Sequence, residues 1–147
     1  MSTQDLYNQG LSSGYTSSLF QEFISSGATS FNIYMAGKKW KNFDYTAGYN
    51  AIINADKNGI FIIKCGNEWP SFDYNNASIK LISLDIMFLQ AILMHKWPLT
   101  VSQINNLWNK DDGRVAYALL KAGFFSKSDA LKKTKNSKWV RMISTWN

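Results

Sequence analysis

The residues of this sequence that are best suited to binding chemistry are cations near its C-terminal end. Arg114, Tyr117 and Lys121 are spaced by three and four positions, so a helix would bring their side chains to one exposed strip. The polar segment that follows contains four further lysines, Lys132, Lys133, Lys135 and Lys138. Clustered cations bind phosphates, although lysines add salt-sensitive affinity more than sequence discrimination. We expect these seven residues to form a nucleic-acid-binding surface.

The positive charge of the chain is concentrated in its second half. Residues 1–76 contain five Lys against six acidic residues, a net charge of −1, whereas residues 77–147 contain nine Lys and two Arg against four Asp, a net charge of +7. This asymmetry favours a polyanion or an acidic protein face as the partner over a neutral small molecule. A simpler alternative stays open, because 14 of the 16 basic residues are Lys, which is common on solvated surfaces.

One short segment partly matches a calcium-binding loop. Asn54, Asp56, Asn58 and Gly59 occupy the first half of such a loop. The position that should supply a bidentate glutamate is Cys65, so the site would lack negative charge. We expect a hairpin turn here, and we expect no metal site and no cofactor in the chain.

Side chains that could catalyse a reaction are few, and each has a simpler role. A single cysteine, Cys65, and a single histidine, His95, exclude an intrachain disulfide and the usual four-ligand zinc sites. Cys65 ends an apolar run and His95 falls at the expected end of a helix, so a nucleophile with its base is not favoured. The carboxylates of Asp111 and Asp112 are better explained as a helix cap. With no Gly-rich phosphate loop, HExxH or GxSxG motif, we expect a protein that is not an enzyme.

The first half of the sequence predicts an arm followed by a β lobe. Ser, Thr and Gly fill 14 of the first 30 positions, so residues 1–28 are expected to form an arm with little apolar surface. From residue 29 the pattern changes, and Phe31, Ile33 and Met35 alternate with more polar residues as in a strand. Two further apolar runs flank the turn described above, which is typical of a hairpin. Residues 29–76 are therefore expected to form an antiparallel β lobe.

The second half, residues 77–147, carries the signals of helices. Ser83 can cap a first helix that stops before Pro98. Thr100 and Gln103 match a capping box, which predicts the start of a second helix. The sequence as a whole predicts an α+β protein, with an N-terminal antiparallel β lobe and a C-terminal winged-helix-like three-helix unit.

The order of elements in the second half carries a resemblance to a known family. A third helix over residues 112–122 would be closed by Gly123, and Phe124–Phe125 would pair with a strand over residues 139–143 in a hairpin with a lysine-rich tip. Helix, helix, short turn, helix and basic hairpin over residues 84–144 resembles a winged helix-turn-helix domain. By that resemblance the third helix would lie in the DNA major groove, and the hairpin tip would contact phosphates or the minor groove.

Two functions remain open at this stage. The leading hypothesis is a non-enzymatic nucleic-acid-binding protein that docks duplex DNA. The alternative is a protein-interaction or assembly component, such as a viral structural subunit, a homo-oligomer or a small inhibitor of a nucleic-acid-handling complex. The candidate protein contacts are aromatic, Trp40, Tyr45, Trp69 and Phe72. Exposed rings would form an interface, whereas buried rings would belong to the core.

The sequence gives no support for export or for a membrane partner. The first residues lack the basic and apolar regions of a signal peptide. The longest apolar stretch, residues 84–94, is interrupted by Asp85 and Gln90. We therefore expect a cytoplasmic protein, which for a viral protein means the host cytoplasm or the virion.

Overall fold

The computed structural model describes residues 1–85, 87–109 and 113–146, and every regular element among them is an α-helix. The chain divides into an N-terminal unit, Met1–Asp73, and a C-terminal unit, Tyr74–Asn147. The predicted α+β class is therefore wrong, because the residues assigned to the antiparallel β lobe are helical.

The N-terminal unit consists of five short helices. Its helices are α1 (Thr3–Ser13), α2 (Ser17–Ser25), α3 (Ser30–Lys39), α4 (Tyr45–Ala55) and α5 (Ile60–Glu68). Ser2, Thr16 and Thr29 each cap the following helix by accepting a hydrogen bond from a backbone N–H of its first turn. Several of the hydroxyl residues that suggested an arm therefore start helices.

Residues 1–28, expected to be an arm, are packed within this unit. Their buried apolar side chains are Leu6, Leu19, Phe20 and Phe23. The Trp40 indole donates a hydrogen bond to the Tyr7 carbonyl oxygen at 3.1 Å, which ties α1 to the residue after α3. A Cβ at Gly10 would clash with the Trp40 ring, so the missing side chain allows the helix and the indole to meet. The segment folds because most of its few large apolar residues are used in packing.

The predicted strand around residue 33 is α3. Thr29 and Asn32 cap this helix reciprocally: the Asn32 N–H donates to Thr29 Oγ1 at 3.2 Å, and the Thr29 N–H donates to Asn32 Oδ1 at 2.8 Å. The buried residues of α3 follow the helical period and are Ile33, Tyr34, Ala36 and Gly37. Phe31, the first residue of the alternating pattern, is 51% exposed. The apolar residues of this segment fit both periods, and the caps select the helix.

The predicted hairpin turn is the connection between α4 and α5. The carboxylate of Asp56 is buried, and its Oδ2 accepts hydrogen bonds from the Phe61 N–H at 2.8 Å and the Ile62 N–H at 2.9 Å. These are orphan donors of the first turn of α5, so Asp56 caps that helix. Gly59 has a φ of 87°, which a residue without a Cβ adopts readily.

The C-terminal unit contains six helices among the described residues. They are α6 (Tyr74–Leu84), α7 (Phe88–Met94), α8 (Val101–Trp108), α9 (Gly113–Lys121), α10 (Lys127–Lys133) and α11 (Ser137–Ser144). The predicted first helix is wrong at its start, because Ser83 lies inside α6 and α7 begins at Phe88. The Gln103 N–H donates to Thr100 Oγ1 at 3.1 Å at the start of α8, and Gly123, with a φ of 83°, follows α9.

The basic hairpin predicted over residues 124–143 is also wrong. The structure has α10 and α11 in its place, each with its own N-terminal cap. Ser126 Oγ accepts from the Asp129 N–H at 3.1 Å, and Asn136 Oδ1 accepts from the Lys138 N–H at 3.0 Å. The described residues therefore contain no β wing, and the helix-turn-helix part of the resemblance stays a prediction.

α9 is the central helix of the C-terminal unit. It packs against α7, α8, α10 and α11. Six of its nine residues are buried. A buried cluster joins α9 to α10 and α11 and consists of Ala116, Leu120, Ala130 and Ile143. The remaining residues of α9 are Arg114, Tyr117 and Lys121, and they form its only outward strip.

Candidate nucleic-acid interface

The outward strip of α9 lies beside α11. An added Cβ at Gly113 would clash with Trp139 and would lie 2.6 Å from Thr134 Cγ2, so the start of α9 approaches α11 as closely as a glycine permits. The Thr134 hydroxyl is buried and donates to the Ala130 carbonyl oxygen at 2.8 Å, which fixes the connection between α10 and α11. This packing places the Trp139 ring next to Arg114.

Cations and aromatic rings alternate where α9 meets α11. The Arg114 guanidinium carbon lies 5.5 Å from the centre of the Trp139 ring, and Lys138 Nζ lies 5.4 Å from the same ring. Lys121 Nζ lies 5.2 Å from the Tyr117 ring. These distances fall within the range of cation–π attraction.

Trp146, just after α11, completes this group of side chains. Its ring centre is 6.3 Å from that of Tyr117, and Lys121 Nζ lies 5.9 Å from it. The Trp139 ring centre is 5.7 Å from that of Tyr117. We name this group the α9–α11 patch, and its members are Arg114, Tyr117, Lys121, Lys138, Trp139 and Trp146. Lys121 and Lys138 are exposed, and the other four side chains are half-buried.

The remaining predicted lysines lie elsewhere on the same unit. Lys132 and Lys133 are in the last turn of α10 and line a cavity of about 280 Å³ with Trp108, Phe125 and the acidic Asp129. These two rings are stacked, with centres 4.0 Å apart and planes at 20°. Lys135 is exposed in the connection between α10 and α11. Four of the seven predicted residues, Arg114, Tyr117, Lys121 and Lys138, therefore lie together in the α9–α11 patch. Lys132 and Lys133 lie beside a second aromatic pair.

Apart from Tyr117, the aromatic members of these two groups were not predicted as site residues. Trp139 falls in the segment predicted as a strand. A helical signal was present, because Trp139, Ile143 and Trp146 are spaced by four and three positions after the capping residue Asn136. That spacing predicts rings flanking a buried residue on one side of a helix.

Two of the four candidate protein contacts are core residues, and the other two are half-buried. Trp40 and Trp69 are 4% and 5% exposed, and Tyr45 and Phe72 are half-buried. The Tyr45 and Phe72 ring centres lie 5.5 Å and 6.1 Å from that of Trp69. An added Cβ at Gly37 would lie 2.6 Å from the Trp69 ring. The rings therefore contact one another inside the N-terminal unit.

The two side chains considered as a nucleophile and its base belong to different units of the chain. Cys65 is buried in the N-terminal unit, and burial raises the pKa of its thiol, which opposes formation of a nucleophilic thiolate. His95 belongs to the C-terminal unit and is exposed. Asp111 and Asp112 lie outside the described residues.

The described residues contain neither a metal-binding cluster nor a membrane-spanning helix. No group of three or more His, Cys, Asp or Glu side chains in residues 1–85, 87–109 and 113–146 is arranged to hold a metal ion. No helix in those ranges is both long enough and apolar enough to cross a membrane.

The comparisons with known proteins identify no relative. No protein-family model, curated protein or solved structure matches the chain. The function is therefore inferred from the geometry of the α9–α11 patch and of the Trp108–Phe125 pair with its neighbouring lysines.

Proposed function

We propose that this protein binds nucleic acid, without enzymatic chemistry, through the α9–α11 patch. The observation that carries the proposal is the placement of three cations over partly exposed rings at one helix–helix contact. A phosphate chain needs cations that are close together and held in place, because ordering flexible lysines on binding costs conformational entropy. Contacts of 5.2 to 5.9 Å with neighbouring rings restrict these side chains before any ligand arrives.

The charge of the surrounding unit supports the same conclusion. The net charge of +7 on residues 77–147 produces a positive potential over the part of the chain that contains the patch. Such a field raises the association rate of a polyanion and falls with ionic strength.

The proposal is tested by fluorescence anisotropy with a labelled oligonucleotide, measured over a range of about 50 to 200 mM salt. Binding should weaken linearly with log salt, with a slope of roughly −0.7 to −0.9 for each phosphate contact. The double variant Lys121→Gln/Lys138→Gln should bind about 10-fold more weakly and show a shallower slope.

A matched control is available in the N-terminal unit. Lys39→Gln/Lys41→Gln removes the same charge from two exposed lysines outside the patch and should change affinity by less than about 2-fold. Equal losses in both double variants would mean that net charge alone drives binding, and absence of binding at low salt would refute the proposal.

An acidic protein surface is the competing partner for the same cations. A protein that imitates a polyanion would also contact Arg114 and Lys121. An extended arm could have reached a neighbouring chain in an assembly, but α1 and α2 pack within their own unit. Self-association of the chain together with no oligonucleotide binding would favour assembly.

A further inference from the structure

We infer that the nucleic acid bound by the C-terminal unit is single-stranded, an inference that rests on the function proposed above. The sequence analysis favours duplex DNA with the α9 segment in the major groove. Two independent features of the structure, the confinement of α9 and the partly exposed rings beside its cations, favour a single strand instead.

α9 is too enclosed to enter a major groove. A groove of about 12 Å admits a helix of about 10 to 12 Å in diameter when the reading face of that helix projects beyond the elements packed around it. Four helices pack against α9, and its first residue, Gly113, lies too close to Trp139 for a Cβ to fit. Trp139 and Trp146 flank the outward strip on the α11 side. A duplex could therefore contact the strip only through its phosphates, while the base edges stay out of reach.

The rings of the patch are suited to unpaired bases. Tyr117, Trp139 and Trp146 are each half-buried, so each of these residues keeps part of its surface in solvent. In a duplex the base faces are already stacked on one another, whereas in a single strand they are free to stack on aromatic side chains. The cations beside the rings are then placed to contact the phosphates on either side of a stacked base.

A second ring pair on the same unit extends this pattern. The Trp108–Phe125 stack lines the cavity of about 280 Å³ with Lys132 and Lys133. Trp108, Tyr117 and Trp146 all pack against the buried cluster that joins α9, α10 and α11. Both ring groups therefore belong to one packed bundle. A flexible strand can bend to reach two such places, which a duplex, with a persistence length of about 150 base pairs, does not do.

The experiment compares four labelled probes of about 20 units at one salt concentration by fluorescence anisotropy, a length that exceeds typical single-strand site sizes. The probes are oligo-dT, oligo-U, a DNA duplex and an abasic DNA strand that keeps the phosphates and lacks the bases. At least one of the two single strands should bind about 10-fold more tightly than the duplex. The abasic strand should bind at least about 5-fold more weakly than oligo-dT, the loss expected when stacking of one base is removed.

A pair of variants assigns the effect to a ring. Trp139→Leu should lower the affinity for oligo-dT more than the affinity for the abasic strand, so that the two affinities become nearly equal. Trp139→Phe keeps an aromatic face and should restore most of the loss. If Trp139→Leu does not fold, as judged by its circular dichroism spectrum, the inference is still tested by comparing the affinities of the unmodified protein for oligo-dT and for the abasic strand.

The outcomes separate this inference from the proposed function. Duplex binding as tight as that of both single strands, or equal affinity for oligo-dT and the abasic strand, would overturn the single-strand inference and leave nucleic-acid binding standing. Failure of all four probes to bind would refute both.

Discussion

Two regions of this chain, one in each unit, use aromatic residues in opposite ways. In the N-terminal unit, rings such as Trp40 and Trp69 are buried where Gly10 and Gly37 leave room for them. In the C-terminal unit, the rings of the α9–α11 patch stay half-exposed beside lysines and an arginine. The comparison teaches that aromatic content alone does not locate a binding surface. The residues around a ring determine whether it is buried, because glycines leave room for it in the core and long cationic side chains keep it at the surface.

The buried cap of the N-terminal unit should produce the largest stability effect. Asp56→Ala removes a carboxylate that accepts two hydrogen bonds at 2.8 and 2.9 Å in a buried position. We expect a loss of about 3 kcal/mol in the free energy of unfolding, measured by urea denaturation. Asp44→Ala is the matched control: Asp44 caps α4 in the same manner but is exposed, so its loss should be about 1 kcal/mol. Equal losses for the two variants would contradict the assigned role of burial.

The glycine contacts of the N-terminal unit give the next test. Gly10→Ala places a methyl group against the Trp40 ring. Alanine is the better helix former by about 0.5 to 1 kcal/mol, so the net loss in the free energy of unfolding should be about 2 kcal/mol. A stabilised variant in urea denaturation would show that the indole moves aside at no cost. Nucleic-acid affinity should not change.

The corresponding glycine of the C-terminal unit should alter both stability and binding. Gly113→Ala crowds Trp139 and Thr134, and we expect a loss of about 1 to 2 kcal/mol in the free energy of unfolding. Unlike Gly10→Ala, it should also lower oligonucleotide affinity, because Trp139 would be displaced relative to Arg114. Anisotropy titrations of the two variants side by side measure this difference. Identical oligonucleotide affinities for Gly10→Ala and Gly113→Ala would contradict the proposed difference between the units.

A tyrosine of the N-terminal unit provides the smallest effect, visible only at high pH. The Tyr34 hydroxyl donates to the Glu68 carboxylate at 2.7 Å, and this hydrogen bond, together with burial, raises the pKa of Tyr34 from 10.0 to about 12. Because the folded state holds this proton more tightly than the unfolded state, the resulting stability is complete below pH 10 and is lost as the pH rises towards 12. Ultraviolet titration of the unmodified protein against Tyr34→Phe should reveal one phenol with a midpoint near 12. A difference spectrum with a midpoint near 10 would contradict the hydrogen bond.

Local signals in the sequence predicted part of this structure. Thr100 caps α8 and Gly123 follows α9, because caps depend on a few adjacent residues. The three-and-four spacing likewise identified the strip of Arg114, Tyr117 and Lys121, which needs only the helical period. The β lobe was predicted wrongly because aromatic and β-branched residues fit strands locally. Two things override that preference: local caps such as the reciprocal one between Thr29 and Asn32, and contacts of rings with distant glycines, such as Gly10 with Trp40, which no local pattern contains.

The hydrogen bond from the Trp40 indole to the Tyr7 carbonyl spans 33 positions, which has a consequence for biosynthesis. The first helix leaves the ribosome well before the indole that covers it, and synthesis proceeds at roughly 5 to 20 residues per second. For a few seconds the nascent chain therefore displays the backbone around Tyr7 and Gly10 uncovered, and α1 waits for Trp40 before it can pack.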